Sequence, residues 1–346
     1  MELFMNFIVK CVIFVGLYAV IQAVTLHANL REIIQHREEK PENAEMLKKL
    51  KAEIALKRKY SEPYGGEPGK AYFKYFNEMI LAPALGEYLI KLQQQKIGNE
   101  EQVKLFENLI NELGKIRQDM ANVTGGEDMA LLNNFGLRVR ETYIRYESIK
   151  DFPAWNTYLH NKLEKLAGKK DGEKIGCYEL IDKLVKINGG ENFRVEKISD
   201  TVAYMGPQEG NTSLGYLQIN CHRTSDATQL QLFLAPASNA LFKEVAKKFF
   251  AVLNAGKVKP EILLEKMASF FLSYSHVAIF MRGQASIGEA LLRGLAYAQG
   301  YSLSYSKEWT GPSYPSADMH ALSTFNESQF IKDFMQNVKL SILSKT

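Results

Sequence analysis

The chain predicts a mostly helical α+β protein, a helical bundle carrying a small antiparallel β-meander. Three observations lead there. Apolar residues recur at three- and four-residue intervals through much of residues 71–169 and 238–346, the period of amphipathic helices. Between them, residues 193–235 break into short alternating runs (FRVEKI, TVAYMG, LGYLQINCH, QLQLFLAP) separated by the turn clusters PQEGNTS and RTSDAT, as hairpin-linked strands do. An apolar content of 46% beside 24% charged residues supports a packed core and argues against global disorder.

Taken in order, the chain opens on FMNFIVKCVIFVGLYAVIQAVTLHA. From Cys11 to Leu26 there are 16 residues without charge, interrupted only by Gln22 and Thr25. That is short for a bilayer span, which takes about 20 residues. It suits the core of a signal peptide, with Lys10 as the positive flank and Leu26-His27-Ala28 as a mediocre cleavage site. Three readings stand for residues 1–28: a signal peptide, an uncleaved membrane anchor through residues 4–26, or an apolar helix buried in the protein. Export or membrane attachment is the expectation.

Residues 29–60 read as two charged helices broken at Pro41, with apolar positions so sparse that a charged helical stalk is expected. SEPYGGEPGK, residues 61–70, reads as a linker because it holds three Gly and two Pro. A globular domain over residues 71–346 follows, with helices at 71–169, the meander at 193–235, and helices at 238–346. Within it, Gly168 and Gly300 are the predicted helix stops.

The net charge is +4 and the pI near 8.7. Lys and Glu are interleaved along the polar helix faces, which describes solvated surface and not a basic stripe for nucleic acid. A protein partner or substrate is expected, and no nucleic acid. The three cysteines, Cys11, Cys177 and Cys221, show no metal-ligand spacing, so no metal site is expected. Cys177 and Cys221 could pair in an oxidising compartment or remain two free thiols. The signatures of P-loop NTPases, dinucleotide-binding folds, zinc proteases and Ser hydrolases are absent.

One stretch looks like a working part: FMRGQASIGEALLRGLAYAQG, residues 280–300. Ser286-Ile-Gly-Glu289 has the form of a capping box before a buried helix face, so capping alone accounts for it. A second reading stays open beside it. A helix N-terminus offers unpaired N–H groups to a phosphate. Arg282 would add a forked donor, Gly283 close backbone approach, and Gln284 a polar side chain.

The stretch resembles two known patterns. Helix, loop and helix with Phe-x-x-Gly-x-Ala is similar to a degenerate Fic motif, whose proteins transfer AMP or related nucleotide parts to protein hydroxyls. Phe280 and Gly283 agree with that motif, while Gln284 replaces its Asn and Ala285 its second Gly. Its catalytic His would fall at Ala278, its acidic residue at Arg282 and its Arg at Ser286. Arg-Gly-Gln-Ala-Ser-Ile-Gly-Glu also resembles the RGSA-type segments of bacterial effector and toxin proteins, some of them similar to adenylyltransferases that use a Ser with a downstream His-x-x-x-Glu. Here those would be Ser286 and His320, with Thr324 where the acid belongs.

Together these imply a bacterial effector- or toxin-like transferase acting on a nucleotide or other phosphorylated ligand. Ser286, His320 and Glu289 would be the catalytic set, and Arg282, Gly283 and Gln284 the phosphate ligands. The sequence fixes no cofactor; the resemblance points to ATP. His320 lies in a polar loop beside Asp318, where a general base could sit. His276, on an apolar helix, reads as a core histidine. The alternative is a non-enzymatic, membrane-tethered or exported helical protein whose partner is another protein.

Overall fold

The computed structural model describes residues 30–58, 66–95, 97–124, 136, 144–146, 164–165, 168, 177–186, 193–199, 202–207, 214–223, 228–234, 238–277, 279–280, 283–310, 317–322 and 324–343. The protein is α+β and mostly helical, as the periodicity predicts.

Helix α1, through residues 30–38, and α2, Pro41–Arg58, break at Pro41, whose missing N–H suits a first helical turn. Most of their large apolar residues turn inward: Leu30, Ile33, Ile34, Leu47, Leu50 and Ile54 are buried in the common core, while Met46 and Leu56 are exposed. These helices are thus a layer of the bundle, which corrects the expected stalk. Asn43 holds the joint, donating to the Arg37 carbonyl at 2.7 Å and accepting from the Tyr75 hydroxyl at 2.7 Å. The expected linker is also shorter than read, because α3, Gly66–Tyr75, takes up its last five residues.

A π-helical turn, Phe76–Leu81, joins α3 to α4, Ala82–Gln93. Pro83 has no N–H for the Met79 carbonyl, and the wider turn closes instead through Ala82 N–H to Asn77 O. The long amphipathic α5 is Asn99–Thr124. Strand β1, Ile144–Tyr146, corrects the expectation of helix throughout 71–169. Helix α6, Cys177–Lys186, then precedes the meander of β2 (Phe193–Ser199), β3 (Val202–Pro207), β4 (Leu217–Arg223) and β5 (Thr228–Leu234). The sheet is antiparallel with order β1-β5-β4-β3-β2, so β1 joins at the β5 edge. The Cys177 and Cys221 side chains lie outside the described residues.

The remaining helices are α7 (Asn239–Leu253), α8 (Pro260–Ser275), α9 (Gln284–Ala298), α10 (Lys307–Thr310), α11 (Ala317–Leu322) and α12 (Glu327–Asn337). Two strands interrupt them, correcting the all-helical expectation for 238–346: β6, Tyr301–Tyr305, and β7, Val338–Ile342, pair as an antiparallel ribbon. Gly300, at φ 84°, is the left-handed turn from α9 into β6.

Helix α9 enters the core through notches. A Cβ on Gly86 of α4 would lie 2.7 Å from Tyr297 Cβ of α9, and one on Gly294 of α9 would lie 2.6 Å from Leu85 Cγ of α4. Both glycines exist so that two helices can approach where a methyl group has no room. A Cβ on Gly288 would lie 2.6 Å from the Tyr274 ring on α8, so α9 is held closely on a second side. Aromatic packing of Phe106 on Phe249 (centroids 5.0 Å) and Phe249 on Phe270 (5.6 Å) joins α5, α7 and α8.

The sheet meets the bundle at Leu214, which joins the core, and at Gly215, where a Cβ would lie 2.2 Å from the His276 carbonyl. His276 is the core histidine expected from its apolar helix. Its buried Nε2 lies 2.8 Å from the Ala321 carbonyl and 3.1 Å from that of Thr324, tying the end of α8 to the end of α11.

The transmembrane-anchor expectation is corrected for the described residues. Among the described residues no helix is long and apolar enough to cross a membrane. Residues 4–26, on which that expectation rested, lie outside them.

Two outcomes are expected. Gly86→Ala destabilises the fold by about 1–3 kcal/mol in urea unfolding, because overpacking against the fixed Tyr297 Cβ outweighs the gain in helix propensity. Burial of His276 pushes its pKa down from 6.5 to about 4, with its carbonyl contacts opposing the shift. The unfolded chain takes up that proton as pH falls through 6.5, and the native state only near 4. Stability is therefore undiminished above pH 6.5 and drops by up to about 1.4 kcal/mol per pH unit across that window. Urea titrations between pH 7.5 and 4.5 should show a shallower acid branch in His276→Gln than in wild type.

Candidate functional site

One side chain builds the junction between α8 and α9. Gln284, the first residue of α9, is buried, and its Nε2 donates to the carbonyls of Val277 at 2.7 Å and Tyr274 at 3.1 Å. Its Oε1 accepts from the N–H groups of Ile279 at 2.9 Å and Phe280 at 3.4 Å. These are backbone groups left over where α8 stops, and an unpaired buried amide is costly. Gly283 precedes at φ 87° as the N-cap, in the left-handed region open to glycine. The Tyr274 hydroxyl closes the loop by donating to the Gln284 carbonyl at 3.1 Å.

Two expectations are corrected here. Helix α9 starts two residues before Ser286, so Ser286 and Glu289 do not form a capping box. Both ends of the Gln284 amide are committed to backbone, so this side chain is not a phosphate ligand. Arg282 lies outside the described residues.

Ser286 sits one turn into the helix. Its hydroxyl donates to the Gly283 carbonyl at 3.0 Å and accepts from Arg117 Nε at 2.8 Å. Arg117 comes from α5 and lies over the Phe73 ring of α3 at 4.3 Å, which orients its planar fork. Gly283, Ala285 and Ser286 are half-buried, so this mouth reaches the surface. Among the described residues no side chain caps α9. The helix itself does not use the amides of Gln284, Ala285 and Ser286, and the Arg117 guanidinium stands beside them at Ser286.

No protein-family model matches this chain, and no curated protein matches it. The chemistry of the site has to be taken from its own side chains.

Glu289 lies on the polar face of α9, three residues beyond Ser286, and is fully engaged. It accepts from Arg293 Nε at 2.7 Å and from the Tyr305 hydroxyl. Arg293 continues to the Leu303 carbonyl at 3.1 Å and to Glu78, within the π-turn, at 3.5 Å. Burial works against the Arg293 charge, but Glu289, Tyr305 and Glu78 together outweigh it and hold the guanidinium above its ordinary pKa. Burial first, and then the same carboxylate, push the Tyr305 phenol well above its ordinary range. Tyr305 stacks on Trp309 (centroids 6.5 Å, planes 23° apart), and Trp309 on His320 (4.6 Å, 8°). Asp318, buried two residues before His320, adds its field to Tyr305.

Of the expected catalytic set, Ser286 and Glu289 share one helix, while His320 reaches Glu289 only through Trp309 and Tyr305. Among the described residues no group of three His, Cys, Asp or Glu side chains is placed to hold a metal. Arg117, Tyr305 and Trp309 were missed from sequence. Arg293 had a signal, standing four residues after Glu289 where helical ion pairs form.

Gln284→Ala is expected to cost about 3 kcal/mol or more, because it strands several buried backbone groups at once. Gln284→Glu should cost at least as much, since it turns a carboxylate on the Val277 and Tyr274 carbonyls. Urea unfolding followed by far-UV circular dichroism checks both.

Proposed function

We propose that this protein is an effector- or toxin-like transferase acting on a nucleotide or another phosphorylated ligand, with the phosphate seated at the mouth of α9. One observation supports this reading above the others. An uncapped helix N-terminus, opened by a left-handed glycine, stands beside the Arg117 guanidinium at 2.8 Å from Ser286. Amides outside the helix ladder, the positive end of the helix and a forked cation are the donors a phosphate takes. The resemblance of residues 280–300 to nucleotidyl-transferring segments adds ATP as the ligand and a protein hydroxyl as the acceptor.

In this reading Ser286 and Arg117 touch the ligand, with Arg282 adding charge from the same loop. Glu289 keeps Arg293 and Tyr305 in place. His320, at the far end of the aromatic stack, stands outside hydrogen-bond reach of this mouth, and the acceptor's proton leaves to water. The nucleotidyl group passes to the acceptor oxygen and pyrophosphate leaves.

Calorimetric titration with ATP and label transfer from ATP to candidate proteins test the assignment together. Arg117→Ala should weaken ATP at least tenfold and Ser286→Ala several-fold, the loss of one or two charge-assisted contacts. His320→Ala should leave both ATP binding and label transfer intact, because it lies outside the mouth. Binding unchanged in Arg117→Ala and Ser286→Ala would remove the site, and binding without transfer in wild type would reduce the reading to a ligand-binding protein.

A further inference from the structure

A cleft of about 410 Å³ opens between α1, α2, α3 and α5. Its inner wall is apolar and aromatic: Ile34, Tyr72, Phe76, Ile116 and Met120 line it and are buried. The Tyr72 and Phe76 rings stack on each other at 5.8 Å with planes 28° apart and back the cleft. Four charged side chains stand around it: Arg31, Glu38, Lys51 and Asp119.

These charges are not equivalent. The Arg31 guanidinium is claimed by the buried Glu112 carboxylate and by Asp119 at 3.5 Å. Lys51 is exposed on α2, free to swing its ammonium into water, and at such a site its attraction to a neighbour is screened. Glu38 is different. It is half-buried on α1, and among the described residues no hydrogen bond or ion pair reaches its carboxylate. Burial lifts its pKa above the ordinary carboxylate value, with Lys51 opposing and Glu39 reinforcing the shift. Burial also raises the Tyr72 phenol, and the fields of Glu38 and Asp119 raise it further, which places both carboxylates near the phenol end of the aromatic wall.

An apolar, aromatic-lined wall, edged by a half-buried carboxylate that no described side chain pairs, is complementary to a cation on an apolar body. An anion would meet Glu38 and Asp119 across the same opening, and the strongest cation there is already neutralised. We propose that this cleft binds a small organic amine, its ammonium against Glu38 and its apolar body on Tyr72 and Phe76. The proposal does not depend on the α9 mouth.

The test uses the full chain and three probes of one shape: phenethylamine, the neutral 2-phenylethanol and the anionic phenylacetate, each titrated by protein-observed NMR or calorimetry. The expected result is saturable amine binding at least tenfold tighter than the alcohol, with phenylacetate weakest. Glu38→Gln should bring the amine down to the level of the alcohol. That substitution breaks no bond of the fold, and the three-probe comparison on wild type stands without it. Equal binding of all three probes, a preference for phenylacetate, no saturable binding, or amine affinity unchanged in Glu38→Gln would each overturn the proposal.

Discussion

The hold that the Gln284 carboxamide has on the end of α8 sets the geometry of the helical core. A chain that leaves one buried helix and enters another must satisfy the last carbonyls of the first and the first amides of the loop, with no water to help. Gln284 does this from inside, giving its N–H groups to Tyr274 and Val277 and taking those of Ile279 and Phe280. Because the same residue is also the first of α9, the satisfaction of one helix end fixes the start and direction of the next. The side chain that sequence reading offers to a ligand is spent on the backbone.

That fixed direction explains the glycines. With α9 held at its start, its flanks must pass α8 and α4 at set distances, and Gly288, Gly294 and Gly86 remove the Cβ atoms that would stop it. The cost in helix propensity, about 1 kcal/mol for each glycine, is smaller than the cost of overpacking at three contacts. The π-turn before α4 belongs to the same arrangement. It brings Glu78 to within 3.5 Å of Arg293, so a wide turn caused by Pro83 ends as an electrostatic contact with α9.

Local pattern carried much of the fold. The meander expected over 193–235 appears as four strands between Phe193 and Leu234, because alternation and turn clusters are local signals. Gly300 ends α9 where its position after an apolar face implied. The failures share a cause, which is long-range pairing. β1 exists by pairing Ile144–Tyr146 with β5, and nothing within three residues announces that. The supposed stalk carries few apolar residues, yet most of the large ones face one core, a fact that their number hides. At the site, Ser286 looked like a cap because the real stop, Gly283 with Gln284, works through backbone groups up to ten residues upstream. Arg117 meets Ser286 from 169 residues away, beyond any motif.

The polar face of α9 shows why a buried charge set need not be catalytic. Removing Glu289, Arg293 and Tyr305 from water carries a large desolvation cost, repaid only when every donor and acceptor finds a partner. Here Glu289 receives two donors, and Arg293 serves Glu289, Glu78 and the Leu303 carbonyl. A set held on so many sides is fixed in one geometry, and it ties β6 and the π-turn to α9. The α9 mouth differs on the same criterion. Its first amides are used by no turn of the helix, its serine is polarised by a guanidinium from another helix, and its rim is half-open. The contrast between a network that ties three elements together and a half-buried helix start beside a guanidinium, a few residues apart on one helix, is what separates scaffold from candidate site in this protein.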